Sequence, residues 1–134
     1  MQLHALHHAG LSVSDFDAAV DWWSTHFGFA LQREWGGPDL RMGILGAGDI
    51  RLELFARPDA APGPDETRGL VESFDQRGWK HVAFAVPDVD AAIGELREAG
   101  IPILCEPTSN PAAGLRYAFL RDPDGNHVEL LTPL

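Results

Sequence analysis

An internal repeat is the sequence feature that most constrains how this chain can fold. His8 begins the segment HAGLSVSDFDAAV, and His81 begins the segment HVAFAVPDVDAAI. The histidine, a valine, two aspartates, an Ala-Ala pair and the β-branched residue after it recur in the same register. A repeat of this length indicates two copies of one structural unit. The copies must pack together, because neither can cover its own apolar face alone.

Both copies continue with the same order of elements. Each repeat runs into an amphipathic helix that ends at a glycine, Gly28 in the first copy and Gly100 in the second. Each copy then closes with a strand that carries a glutamate, Glu53 in LEL and Glu129 in VELL. The pattern predicts a strand, a helix and three further strands in each half. This is an α+β fold built from two βαβββ modules.

The 134 residues fit a single domain. We expect an N-terminal module over about residues 4–57, a linker with a short helix over about 58–78, and a C-terminal module over about 79–134. The elements predicted from apolar periodicity and turn residues are, in chain order, a strand at Leu6–Val13, a helix capped by Ser14 or Asp15 and ending at Phe27, strands at Ala30–Trp35, Leu40–Leu45 and Ile50–Phe55, a short helix at Thr67–Gln76, a strand from Lys80, a helix at Asp88–Ala99, and strands at Ile103–Cys105, Arg116–Arg121 and His127–Leu131.

Four residues of metal-binding type lie out of phase with the apolar residues of these strands. They are His8, Glu53, His81 and Glu129. Successive side chains of a strand point to opposite faces of its sheet, so all four are expected on the face away from the helix-packed core. Two imidazoles and two carboxylates that met in one hollow would form a site for a divalent metal ion.

Composition excludes several classes of partner. The formal net charge is −10 and no segment is rich in Lys or Arg, whereas nucleic-acid binding needs clustered positive charge. No apolar stretch approaches the roughly 20 residues of a membrane helix, and the N-terminus has no signal-peptide pattern. Cys105 is the only cysteine and cannot form an internal disulfide, which suits a reducing compartment. We expect a cytoplasmic protein whose partner is a small molecule.

The motifs resemble those of the vicinal oxygen chelate superfamily. The matching segments are the HHAGLSV opening, RLELF, KHVAFAVPDVDAAI and FLRDPDGNHVELL, and together they span nearly the whole chain. The superfamily includes glyoxalase I, methylmalonyl-CoA epimerase, extradiol dioxygenases, fosfomycin-resistance enzymes and bleomycin-binding proteins. The resemblance implies βαβββ modules that form a curled mixed sheet around a central cavity, metal ligands at His8, Glu53, His81 and Glu129, and a homodimer.

Such a ligand set leaves coordination positions open for substrate oxygens. It suits Zn, Ni, Co, Mn or Fe(II), and the spacing does not choose among them. The glyoxalase resemblance implies that a ligand glutamate, Glu129 or Glu53, serves as the general base. By strand alternation, Arg51 and His127 share the face of these glutamates and are candidate substrate contacts. Alternatively, Arg51 pairs with an acidic neighbour and His127 is a turn-end histidine.

Departures from the named subfamilies narrow the function. Glutathione-dependent glyoxalase I resembles this chain but carries an Arg where Ser12 stands and an Asn where Arg57 stands. Methylmalonyl-CoA epimerase resembles it as well, but its catalytic glutamate is expected near Met42, where this chain has no acid. The leading interpretation is a metal-dependent glyoxalase I-like lyase or isomerase that moves a proton next to a metal-bound carbonyl. The alternatives are an Fe(II) ring-cleaving dioxygenase and a non-catalytic drug- or metabolite-binding protein.

Overall fold

The computed structural model describes residues 1–63 and 68–134, which divide into two compact units, Met1–Pro62 and Gly63–Leu134. The first unit contains β1 (Ala9–Val13), α1 (Phe16–Phe27), β2 (Ala30–Gly37), β3 (Leu40–Ala47) and β4 (Ile50–Ala56). The second unit contains a 3₁₀ turn (Glu72–Asp75), β5 (His81–Ala85), α2 (Val89–Glu98), β6 (Ile103–Asn110), β7 (Leu115–Arg121) and β8 (His127–Pro133). The prediction of an α+β fold with two βαβββ modules is therefore confirmed.

Each unit forms its own four-stranded mixed sheet. The strand order is β1-β4-β3-β2 in the first unit and β5-β8-β7-β6 in the second. In both sheets the first strand pairs in parallel with the last, and the remaining pairs are antiparallel. The first and last strands of a unit, which carry the candidate histidine and glutamate, are consequently neighbours.

One face of each sheet is buried under the helix of its own unit. The helices contribute Phe16, Ala19 and Trp23 from α1, and Val89, Ile93 and Leu96 from α2. The strands contribute Val13, Leu45, Leu52 and Leu54 in the first unit, and Ala118, Leu120, Val128 and Leu130 in the second. Because side chains alternate along a strand, Glu53 and Glu129 lie on the opposite face from these apolar residues.

The helix starts and the last turn follow local side-chain chemistry. The carboxylates of Asp15 and Asp88 accept hydrogen bonds from the backbone of Ala18 (3.0 Å) and Ala91 (3.1 Å), which caps α1 and α2. Asp15 therefore caps α1, and Ser14 does not. The turn between β7 and β8 is held by Asp122, whose carboxylate accepts from the backbone of Asp124 and Asn126 and from the side chain of Asn126.

Several predicted elements differ in extent from the structure. The strand predicted at Ile103–Cys105 continues to Asn110 as β6, and strands β2, β3 and β8 each end two residues later than predicted. Strand β1 begins at Ala9 rather than at Leu6, so His8 precedes the strand. This strand lies at the edge of its sheet, where the ladder has a single partner to extend along. Of the helix predicted at Thr67–Gln76, the structure has only the 3₁₀ turn Glu72–Asp75. A helix this short is unstable without a buried face, and no residue of the turn is buried. Thr67 and the linker positions 64–66 lie outside the described residues. No helix in the described ranges is long and apolar enough to cross a membrane.

Candidate functional site

The first unit brings His8 and Glu53 together. Nε2 of His8 lies 3.0 Å from Oε2 of Glu53, and the two side chains are 37% and 19% exposed. Glu53 is in register with Gly10 of β1, so the histidine just before that strand reaches the glutamate of the neighbouring strand. The Nδ1 atom of His8 is 2.8 Å from Nδ1 of His7. Strand β1 begins after both histidines, so strand alternation does not assign a face to His7 or His8.

The second unit brings His81 and Glu129 together in the same way. Nε2 of His81 lies 2.9 Å from Oε2 of Glu129, and these side chains are 34% and 12% exposed. The ring of Phe119 contacts the His81 ring edge-on, with centroids 5.2 Å apart, and Phe119 is also the cross-strand partner of Glu129. An aromatic side chain therefore packs beside both members of this pair.

The four predicted ligands thus occur as two His–Glu pairs, one in each unit. Within either unit, the described residues contain no cluster of three or more metal-ligating side chains. Each pair has a spacing suited to one cation, because two ligands about 2.1 Å from a metal at a right angle are about 3.0 Å apart. Each unit can therefore supply one nitrogen and one oxygen ligand.

His127 and Arg121 lie beside the pair of the second unit. On β8, His127 is in register with His81 of β5 on one side and with Arg121 of β7 on the other. His127 is 7% exposed, and neither its Nε2 atom nor Nη1 of Arg121 has a hydrogen-bond partner among the described residues. Burial, together with the positive charges of Arg121, His81 and Lys80, lowers the pKa of His127 below its usual value.

His127 was predicted as a candidate substrate contact, whereas Arg121 was not predicted from the sequence. Strand alternation alone assigns the face of a residue, and it does not say which residues of two strands stand opposite each other. The signal was present in the tight turn Asp122–Asn126, because a turn of fixed length sets the register of the strands on either side of it. Pairing outward from that turn places Arg121 opposite His127.

Arg51 lies two residues before Glu53 on β4 and is partly exposed. Its cross-strand partner is Gly46 of β3, so no larger side chain stands opposite it. A separate groove of about 660 Å³ lies at the other end of this sheet and is bordered by residues such as Ser14, Trp35 and Arg57. The groove does not include His8 or Glu53, so it is distinct from the candidate metal ligands.

The sequence matches a known family over most of its length. Residues 5–130 match the Glyoxalase/Bleomycin resistance protein/Dioxygenase superfamily, and the chain belongs to that superfamily. The resemblance inferred from the HHAGLSV and DPDGNHVEL motifs is therefore confirmed at the level of the family.

Individual relatives align along nearly the whole chain. YwkD of Bacillus subtilis (strain 168) is 32% identical over 136 residues, covering 97% of this chain and 98% of that protein. A 2-epi-5-epi-valiolone epimerase of Actinomyces sp is 31% identical over 148 residues, covering 95% of this chain and 78% of the epimerase. The crystal structure of SMU.1112c has a TM-score of 0.80 at 32% identity and covers 97% of this chain and 99% of that one.

Proposed function

We propose that this chain is a metal-dependent enzyme of the glyoxalase I type, a lyase or isomerase. Its substrate is a small molecule with chelating oxygens, and the reaction moves a proton at the carbon next to a carbonyl. The observation that carries the proposal is the repetition of one His–Glu pair, His8 with Glu53 at 3.0 Å and His81 with Glu129 at 2.9 Å. A pair kept at the same place in two modules of different sequence indicates a shared role.

The proposed ligands of the cation are His8, Glu53, His81 and Glu129. Imidazole nitrogens and carboxylate oxygens suit Zn, Ni, Co, Mn or Fe(II), and the spacing of each pair suits neighbouring positions on one cation. A bound divalent cation would act as a Lewis acid that polarises the substrate carbonyl and stabilises negative charge on its oxygen. Arg51 and His127 are proposed as substrate contacts on the same sheet faces.

The proton itself is handled by a glutamate, Glu129 or Glu53, as the general base. The carboxylate takes the proton from the carbon next to the carbonyl and returns it to the same or the adjacent carbon. Strand β3, Leu40–Ala47, contains no acidic residue that could act as a second base. We therefore assign both the removal and the return of the proton to the ligand glutamates. His81 and His8 are the proposed ligands beside these carboxylates, with Nε2 2.9 Å and 3.0 Å from the glutamate oxygens.

The comparisons favour this class of chemistry without naming the substrate. The epimerase relative is 31% identical, and its name describes the inversion of a stereocentre. Ser12 and Arg57 replace the glutathione contacts expected in lactoylglutathione lyases. We therefore propose a substrate other than a glutathione adduct, such as an α-hydroxycarbonyl or 2-oxo compound.

Metal analysis combined with solvent deuterium exchange tests this function. The purified protein is expected to bind one equivalent of a divalent metal and to catalyse exchange of the proton next to a carbonyl in a panel of such compounds. Glu129→Gln or Glu53→Gln should abolish exchange, whereas Glu34→Gln, which removes an exposed carboxylate bonded to Arg41, should not. Oxygen uptake with catechols would instead support a dioxygenase. Ligand binding with no metal uptake would support a binding protein.

The proposal also includes a homodimer located in the cytoplasm. Its support is the family itself and the single Cys105, which has no second cysteine to pair with. Sedimentation equilibrium should give twice the mass of the 134-residue chain at micromolar concentration. A mass equal to one chain would contradict the dimer.

A further inference from the structure

Two buried polar atoms in the second unit form a local cluster. Nη1 of Arg121 and Nε2 of His127 are both buried and have no hydrogen-bond partner among the described residues. Arg121 and His127 are cross-strand partners on β7 and β8, so their side chains point to the same face of the sheet. Buried polar groups are rarely left without partners, and a pair of them side by side indicates that another molecule supplies the missing contacts.

The charge around this cluster is positive. No ion pair of the described residues involves Arg121, and its other terminal nitrogen, Nη2, donates to the neutral backbone carbonyl of Arg68. The carboxylate next to it in sequence, Asp122, is held by its own turn through the backbone and side chain of Asn126. Glu129 is bonded to His81. The guanidinium of Arg121 is partly buried, with Nη1 fully enclosed, and no described side chain provides the anionic partner that such a group normally has.

We propose that Arg121 and His127 form a subsite that binds the carboxylate of the substrate. The proposal rests on the proposed function and deepens it, since it assigns the substrate to the 2-oxo or 2-hydroxy acids. Arg121 donates from Nη1 to one carboxylate oxygen, and His127 contacts the other through Nε2. Both residues are thereby specificity-determining contacts.

The position of the subsite suits a substrate of this size. His127 and Glu129 are two residues apart on β8 and lie on the same face, a separation of about 7 Å between their Cα atoms. His81 is the cross-strand partner of His127. A carboxylate held at Arg121 and His127 therefore leaves the neighbouring carbonyl and its adjacent carbon close to the His81–Glu129 pair.

Titration of the metal-free, full-length protein with small probes tests the subsite. Pyruvate is the carboxylate probe and hydroxyacetone is its neutral counterpart, with the Arg121 and His127 side-chain resonances followed by NMR. Pyruvate should shift these resonances saturably, and hydroxyacetone should not. Arg121→Gln should weaken pyruvate binding by about tenfold or more, because it removes a charged hydrogen bond. Arg121→Lys should bind pyruvate more weakly than the wild type and more tightly than Arg121→Gln, since it keeps the charge but loses the planar guanidinium.

Arg116→Gln is the matched control. Arg116 is on the same strand, but its guanidinium is bonded to Asp90 of α2, so its loss should leave pyruvate binding unchanged. The subsite is refuted if hydroxyacetone binds as tightly as pyruvate, or if Arg121→Gln binds pyruvate like the wild type. Tighter binding of inorganic phosphate than of pyruvate refutes the carboxylate assignment. Should Arg121→Gln fail to fold, Arg121→Lys and His127→Gln decide by the same titration. The titration contains no metal, so its result is independent of the metal-dependent function.

Discussion

The ion pairs between helix and sheet recur in both units of this chain, whereas the residues around the candidate metal ligands differ between the units. In the first unit Asp17 of α1 bonds Arg41 of β3 at 2.8 Å, and in the second Asp90 of α2 bonds Arg116 of β7 at 2.6 Å. These bonds tie each helix to its sheet in the same way. The His–Glu pairs repeat as well, with separations of 3.0 Å and 2.9 Å.

The residues next to the His–Glu pairs do not repeat. Two residues before the glutamate, the first unit has Arg51, whose cross-strand partner is Gly46. At the same place the second unit has His127, whose cross-strand partner is Arg121. Glu129 is also less exposed than Glu53, at 12% against 19% of its side chain. Both units therefore keep a His–Glu pair, whereas among the described residues only the second unit has a cross-strand arginine and histidine, Arg121 and His127, beside a less exposed glutamate.

Replacement of His8 or His81, each in a separate variant, should produce the largest effect, which is a loss of metal affinity. His8→Ala and His81→Ala are each expected to lower zinc affinity by at least about 100-fold, beyond the 10–100-fold cost of changing a residue that only supports a ligand. Competition with a chromophoric chelator measures the affinity. His26→Ala, which alters a histidine in edge-on contact with Trp22 at the end of α1, is the control and should leave the affinity unchanged.

The relative size of the two losses tests the comparison between the units. Similar losses support one cation held by both pairs. If one histidine variant bound zinc as tightly as the wild type, the pair of that unit would not be a ligand pair, and the proposed set of four would be wrong.

The order of elements in each unit was predictable because its signals are local. The alternation around Leu52 and Val128, the caps at Asp15 and Asp88, and the turn glycines are each read within a few residues. The first residue of β1 was not predictable in the same way, because a strand extends only as far as the neighbouring strand pairs with it. The short helix was predicted too long for a related reason, since its extent depends on packing that the segment does not have.

The sequence identified the candidate ligand residues, but it did not predict which side chains contact each other. Alternation predicted Glu53 and Glu129 on the face opposite the apolar core, and the structure pairs each with a histidine of its own unit. His8 precedes β1, so alternation does not assign its face. Arg121 required the register of the β7–β8 pair, which alternation does not contain. The binding of one cation by all four residues remains a prediction for the metal-affinity measurements.

The turn before the second candidate glutamate should be more sensitive to substitution than its counterpart. Asp122 supports the β7–β8 turn through three accepted hydrogen bonds at its Oδ1 atom, so Asp122→Ala should lower the free energy of unfolding by about 1–3 kcal/mol. The β3–β4 turn has Gly48 and Asp49 at its tip, and within the described residues the Asp49 carboxylate does not hold the turn in this way. Urea denaturation measures the change, and Asp122→Asn, which keeps an oxygen acceptor, should lose less.

The pH dependence of that turn has a defined sign. Burial raises the pKa of the Asp122 carboxyl above its ordinary value of 3.8. The native state therefore holds this proton more firmly than the unfolded state, and the contribution of Asp122 to stability falls as the pH rises from the unfolded to the native pKa. The free energy of unfolding should be measured against pH for the wild type and for Asp122→Asn. The variant should lack this pH-dependent contribution, because an amide does not titrate. Parallel curves for wild type and variant across this pH range would contradict the assignment.

The smallest effects are expected at the exposed Asp–Arg pairs, where the two units should behave alike. Hydrogen bonds from Arg41 and Arg116 lower the pKa of Asp17 and Asp90 below the ordinary value of 3.8. Each pair contributes to stability above the unfolded pKa, and that contribution is lost as the pH falls through the native pKa. Arg41→Gln should return the titration of Asp17, followed by carboxyl NMR, toward 3.8 and leave Asp90 unchanged, and Arg116→Gln should do the reverse. The effect on global stability should be slight and smaller still in high salt, because both pairs lie at the surface. A shift of Asp90 in Arg41→Gln would mean that the two pairs are coupled, and the description of the ion pairs as independent copies would then be wrong.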